Sequence, residues 1–308
     1  MIIKTFKKDG LGIVGQEIES WNAWNEVEDV FESSKNAEKD HLSPFFKKYF
    51  PYPPKKILEG GCGIGKYVIA YRKLGYDILG VDFSGKTIRR VKKEIDSNLP
   101  LYEADITALP FEDGFFDCYY SGGVIEHFEE GPDAPLKEAR RVLKKGGIFL
   151  VTVPFINFLR KLYFSVLTTK KKDGFLQKKC KKCQHDLPIQ EGYKFSEYSF
   201  DINSLLPYFK DNDFVIEKTY PIDFLWGEIG LLLHKYIGRH HAPERAAIRK
   251  SDNNTENSEG AGNKKSFTKD LMRSFLITQD RDNIFLRIPV TLLNYLSGHM
   301  VLFVARAA

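Results

Sequence analysis

The residues whose types and spacing speak most directly of chemistry stand in one short run, Glu59-Gly60-Gly61-Cys62-Gly63-Ile64-Gly65-Lys66, behind the apolar pair Ile57-Leu58. The run reads as a buried strand that breaks into a glycine turn and enters a helix over Tyr67 to Leu74. Glycine permits positive φ and lets a ligand lie against bare backbone, and N–H groups left free at the following helix N-terminus suit an anionic group. A second apolar strand, Asp77-Ile-Leu-Gly-Val81, ends in Asp82, nineteen residues beyond Gly63. An open α/β sheet places a carboxylate there to accept from two ribose hydroxyls. The dinucleotide fingerprint needs glycine at 66, where Lys66 stands, so NAD or FAD is not the expected ligand.

These residues need a scaffold, and the apolar periodicity supplies one. Ile88, Val91 and Ile95 give a second helix its buried stripe, Leu101 to Asp105 reads as a third strand, and Asp117 to Ser121 as a fourth. Gly122-Gly123-Val124-Ile125-Glu126-His127 then turns into a helix. The next helix, Leu136 to Leu143, is expected to stop at Lys144-Lys145-Gly146-Gly147. Ile148 to Val153 is almost wholly apolar, as a central parallel strand should be, and Pro154 ends it.

Before this core, Trp21, Trp24, Val27 and Phe31, then Leu42, Phe45, Phe46 and Tyr49, recur at helical spacing, so residues 1–54 read as an N-terminal helical cap. After it the pattern loosens. Phe155 to Leu167 is a mixed aromatic and basic helix, and residues 155–195 form a lid-like insertion. Tyr193-Lys-Phe-Ser196 leads a helix from Phe200 to Phe209, and a strand covers Phe214 to Tyr220. Residues 224–298 read as a helical insertion holding a mobile linker at 242–265, and Met300 to Ala305 is a final strand.

Taken together, LEGGCGIGKY, LGVDFS, EADITALPFEDGFFD, YYSGGVIEHF and LKEARRVLKKGGIFLVTVP resemble, in order and spacing, the class I S-adenosylmethionine-dependent methyltransferases of the broad small-molecule type, among them the ubiquinone-pathway enzymes. The resemblance is specific over about a third of the chain, Ile57 to Gly147. It implies a doubly wound, mostly parallel seven-stranded α/β sheet with 55–223 and 299–308 as the core, and S-adenosyl-L-methionine as cofactor. It implies that Gly61, Gly63 and Gly65 approach the methionine and ribose parts of the donor, with Glu59 bracing the turn. Asp82 would take the ribose hydroxyls, Phe83 would lie beside the adenine, and Asp105 and Ile106 would hold the base. Ser121, Gly122 and Gly123 would lie near the reacting methyl.

An oxygen acceptor must also lose a proton, and His127, at the mouth of the fourth-strand turn, is the candidate base. The plainer reading makes Glu126-His127 an ordinary first helical turn. Some members of the family bind a divalent metal through Glu-x-x-Glu-His, but Gly123 occupies the first ligand position, and no metal is expected there. Cys180-x-x-Cys183 with His185 offers only part of a zinc set, the alternative being two free thiols.

Composition bounds the function classes. Of 308 residues, 43% are hydrophobic, enough for a substantial core. The net charge of +5 comes with lysines scattered or in short clusters, which argues against general nucleic-acid binding. Four cysteines and no signal-like N-terminus point to a reducing, cytoplasmic setting. No apolar run is long enough to span a bilayer. Leu231-Leu232-Leu233, Tyr236 and Ile237 beside Lys235, Arg239, His240 and His241 suit either a membrane headgroup boundary on the inner face or a core helix with a polar end. The expected activity is methyl transfer to O or N, with C the lesser alternative, of a small-molecule acceptor, and a lipid-linked acceptor is a variant. A cofactor-binding protein without turnover, or a protein or nucleic-acid methyltransferase, is the alternative.

Overall fold

The computed structural model describes residues 1–8, 25–26, 28–162, 193–222, 296 and 298–308. Trp21, Trp24, Val27, the Cys180–Cys183–His185 group, the basic apolar segment and the 242–265 linker lie outside these residues.

Seven strands form one sheet in the order β4-β3-β2-β5-β6-β9-β8. They are β2 (Lys56–Gly60), β3 (Asp77–Asp82), β4 (Leu101–Glu103), β5 (Phe116–Gly122), β6 (Leu143–Pro154), β8 (Phe214–Ile222) and β9 (Met300–Ala307). All pairings are parallel except those of β9, which runs antiparallel to both β6 and β8. From β2 the chain builds outward through β3 and β4, then returns to the other side of β2 to lay down β5. The strand order therefore reverses between β2 and β5, and such a reversal opens a crevice at the carboxyl ends of those strands.

Alternate residues of the central strands feed two separate cores. Ile57, Ile78, Cys118, Tyr120 and Leu150 pack on one face with α3 (Lys66–Lys73) and α4 (Gly85–Glu94), and with α1 (Val30–Ala37) and α2 (Ser43–Tyr49) beyond them. Leu58, Val81, Tyr119, Phe149, Val151 and Phe303 pack on the other with α5 (Asp133–Val142) and α6 (Ile202–Asp211). Apolar residues on both faces are what a covered parallel sheet requires. Side-chain caps fix the helix starts: Asp29 accepts from Glu32 N, Ser84 from Thr87 N and Asp201 from Ser204 N.

Three sequence readings need correcting. Tyr193 to Phe200 is a strand, β7, rather than the lead into a helix, and α6 begins only at Ile202. Its partner is β1 (Ile2–Lys8), inside the stretch expected to be helical, and the two make a separate antiparallel ribbon with an irregularity between Thr5 and Phe6. Lys144 to Gly147 is not a helix stop. The helix ends at Val142, and these residues bulge out of β6, whose pairing with β5 jumps from Phe116↔Leu143 to Cys118↔Ile148. Gly146 takes φ +75° in the bulge, and Lys144 Nζ is held by Asp117 Oδ2 at 2.9 Å.

Candidate functional site

The glycine turn after β2 and the turn after β5 face each other across the crevice. Gly61, Gly63 and Gly65 all adopt positive φ, of 74°, 52° and 66°. At Gly61 the glycine is required twice over, because a Cβ there would overlap the Val124 Cγ2 methyl of the opposite turn.

Gly61, Cys62, Gly63 and Gly65 of the turn spend their amides within the protein. Gly61 N and Cys62 N both donate to Val81 O at 2.9 Å, Gly65 N donates to Cys62 O at 2.8 Å, and Gly63 N donates to Asp82 Oδ2 at 2.8 Å. What the turn offers is shape, because its donors are spent on fastening it to β3.

Asp82, only 6% exposed, accepts from Gly63 N with one oxygen and from Ser84 N at 2.9 Å with the other. Burial raises its pKa while those two amides pull it back. A carboxylate has about four acceptor positions, so two of them remain for a ligand. Phe83, beside it, stands 42% exposed. At the end of β4, Asp105 is exposed and closes a tight turn by accepting from Thr107 N and Thr107 Oγ1, both at 2.8 Å, and Ile106 is buried beneath it. The loop beyond is clamped from α5. Arg141 donates to Leu109 O at 3.0 Å and Phe111 O at 2.8 Å, and Glu138 accepts from Leu109 N at 2.6 Å.

The groove between the two turns is acidic and incompletely satisfied. Glu59 is 4% exposed, its Oε2 has no hydrogen-bond partner, and burial pushes its pKa to about 8. Ser121, at the end of β5, is 1% exposed with an unpartnered hydroxyl. Glu126 lies in the 3₁₀ turn Ile125–His127 and is 2% exposed. Its Oε2 is likewise without a partner, its Oε1 points toward Gly123, and burial raises its pKa to about 8. Orphaned buried polar oxygens are rare and costly, and three in one groove, on Glu59, Glu126 and Ser121, mark a place made for a ligand.

His127 is anchored rather than loose. Its Nδ1 lies 2.9 Å from Ser196 O of β7, and since a carbonyl only accepts, Nδ1 carries a hydrogen and the basic nitrogen is Nε2. Tyr198, also on β7, donates to Glu129 O at 2.7 Å. The ribbon thus fastens the whole turn after β5 by two bonds.

Sequence reasoning passed over three residues here. Asn25 is buried, donates to Thr87 Oγ1 at 3.2 Å and sets its Oδ1 over Gly63. Tyr67 bonds Asp40, and Tyr120 reaches Thr152 between the buried glutamates. A tyrosine inside an apolar strand, or an asparagine following a tryptophan, carries no pattern of its own.

The family model described as a methyltransferase domain matches residues 58–151. The malonyl-[acyl-carrier protein] O-methyltransferase of Erwinia pyrifoliae is 35% identical over 94 residues, covering 30% of this chain and 34% of its own. The ubiquinone/menaquinone biosynthesis C-methyltransferase of Rhizobium rhizogenes is 35% identical over 108 residues, covering 32% and 41%. The chain spans 34% to 63% of the length of the first curated relatives it matches. Among solved structures, the complex between the Haloferax volcanii Trm112 methyltransferase activator and a methyltransferase matches with a TM-score of 0.51 at 14% identity, covering 94% of this chain and 96% of that one. Residues 58–151 thus match the methyltransferase domain, and the sheet that carries them has the class I S-adenosylmethionine-dependent methyltransferase fold.

Proposed function

We propose that the chain moves a methyl group from S-adenosylmethionine to an oxygen or nitrogen of a small-molecule acceptor. The observation that carries this reading is the acidic groove, where Glu59, Asp82 and Glu126 are buried at the facing ends of β2, β3 and β5. S-adenosylmethionine brings an ammonium and a methyl-bearing sulfonium, and a groove of buried carboxyls suits that charge.

The residues divide the work by position. Glu59 and the Gly61–Gly65 turn would hold the methionine part, with Asp82 taking the ribose hydroxyls through its remaining acceptor positions. Phe83 would cover one face of the adenine and Asp105 and Ile106 its edge. Ser121 and Gly122 would border the methyl. When bound, the donor supplies an activated methyl, and the protein's contribution is alignment of acceptor, carbon and sulfur, which is worth about 7–11 kcal/mol. Two side chains at the far turn, His127 and Glu126, have the chemistry to receive the acceptor's proton.

Calorimetry with S-adenosylmethionine and S-adenosylhomocysteine, followed by methyl-transfer assays on a metabolite panel, tests the proposal. Absence of binding rejects it, and binding with no turnover on any acceptor favours a cofactor-binding protein without catalysis. The lipid-linked variant and peripheral contact with the inner membrane face rest on the basic apolar segment 231–241. Sedimentation with anionic liposomes decides that variant, and binding no greater than background removes it. Among the described residues no helix is long and apolar enough to cross a membrane.

A further inference from the structure

The methyl-transfer reading leaves open which of Glu126 and His127 receives the acceptor's proton. Glu126 sits in the turn directly after β5, where Gly123, at φ +69°, reverses the chain and leaves open space beside the carboxyl. Glu126 is buried to 2% exposure, and its Oε2 has no partner. The groups facing it are known from each side: Tyr120 from β5, Glu197 from β7 and His127 beside it in the turn. None of these neutralises it, and Glu197 opposes its ionisation. Its own backbone amide favours the carboxylate, but Oε2 is left without a partner, and a buried oxygen so placed is costly to keep unless a ligand completes it.

We propose that Glu126 is the proton carrier of the transfer, receiving through Oε2 the proton that the acceptor loses. This rests on the methyl-transfer reading above. The carboxyl is protonated while the groove lacks a positive charge. Arrival of the sulfonium opposite it favours the carboxylate, and the displaced proton leaves to solvent. The acceptor's X–H proton then passes to Glu126, and the electron pair left on X forms the new X–C bond. The pair of the breaking C–S bond goes to sulfur. The thioether product is neutral there, so Glu126 keeps the proton until the next donor enters, and the cycle balances with one proton released per methyl moved.

His127 is the competing base. Its ring is pinned to the Ser196 carbonyl of β7, which turns it toward the ribbon, whereas Glu126 is the buried group of the pair and the one with an orphaned oxygen. A carboxylate is a weak base, so the acceptor it serves is an amine or an acidic hydroxyl such as a phenol or enol, not an aliphatic alcohol.

The test needs no acceptor. Binding of S-adenosylmethionine and of S-adenosylhomocysteine to the full chain is measured by calorimetry at pH 7 in buffers of different ionisation enthalpy, which counts protons released. The two ligands differ only by the methyl and its charge, so Glu59, which meets the ammonium common to both, cancels in the difference. The wild type should release close to one proton more with S-adenosylmethionine. Glu126→Gln should bind both ligands with no excess, and His127→Gln should keep the excess. An excess that survives Glu126→Gln, disappears in His127→Gln or is missing from the wild type overturns the assignment while leaving the methyl-transfer reading standing. Failure of the wild type to bind either ligand overturns both.

Discussion

The carboxylate of Asp82, at the end of β3, accepts the amide of Gly63 at 2.8 Å, tying the edge of the groove to the turn that forms its floor. Its second oxygen takes Ser84 N, beside the cap of α4. One side chain thus sets the turn, the start of a helix and, in the proposed complex, the ribose. Asp82→Ala leaves two amides without acceptors, at about 1–3 kcal/mol for each that stays buried. The variant should bind S-adenosylmethionine at least about tenfold more weakly and unfold at lower urea concentration. Unchanged affinity would take Asp82 out of the donor site.

Gly61 and Val124 give a test of the crevice itself. Gly61→Ala must place a Cβ at φ +74° and against the Val124 Cγ2 methyl. Two separate costs follow, backbone strain of about 1 kcal/mol and overpacking of about 1–3 kcal/mol. Val124→Ala relieves only the second. The Gly61→Ala/Val124→Ala pair should therefore recover part of the stability and donor affinity lost in Gly61→Ala. Strict additivity in the double-mutant cycle would show that the two turns do not press on each other.

Much of this arrangement was readable before the structure, and the misses have physical causes. The strands Ile57–Gly60, Asp77–Asp82 and Ile148–Val153 are short apolar runs closed by glycine, aspartate or proline, and they fold where periodicity puts them. The strand β7 was misread because its buried residues, Phe195 and then Ser196, Tyr198 and Phe200, change parity at the irregularity opposite Thr5 and Phe6, which breaks the alternation. The strand β1 was missed because its partner lies at the far end of the chain, as in Ile2↔Phe200. Lys144-Lys145-Gly146-Gly147 suits a helix end and a strand bulge equally well. Glu126 reads from sequence as part of an ordinary first helical turn, since its burial depends on β7 returning across the turn, a tertiary event that local pattern does not encode.

The nucleoside end of the groove depends on a side chain well away from it. Arg141 of α5 fastens Leu109 O and Phe111 O, and Asp113 Oδ1 at 2.6 Å, holding the loop that begins at Asp105 and Ile106. Arg141→Leu keeps the apolar stem and removes the fork, so the loop loses its anchors while β4 stays in register. Donor affinity should fall several-fold, with turnover at saturating donor unchanged. Arg141→Lys should not restore it, because one ammonium lacks the fork that reaches both carbonyls. A lower turnover at saturation would place the effect at the methyl end instead.

Two buried carboxylic acids should also leave their mark on stability. Glu59 and Glu126 hold their protons to about pH 8 in the folded chain, burial being the leading cause in both. In the unfolded chain a glutamate ionises near 4.3. Between roughly pH 4.5 and 8 the folded state therefore binds more protons than the unfolded one, and stability falls as pH rises through that window. Below it both states are protonated, above it both are ionised, and the slope vanishes at either end. Each group could account for at most roughly 5 kcal/mol of that loss, given a shift of more than three units. Asp117 and Glu138, whose pKa values are lowered by Lys144 and Arg141 respectively, act in the opposite sense but only in the acid range below the window. Urea unfolding at pH 5 and pH 8.5 should show the wild type less stable at the higher pH. Glu59→Gln and Glu126→Gln should each flatten the difference and exceed the wild type in stability at pH 8.5. Variants no more stable than the wild type there would mean that these carboxyls are already paired or hydrated, and that the groove is not the dry acidic cleft the donor is proposed to enter.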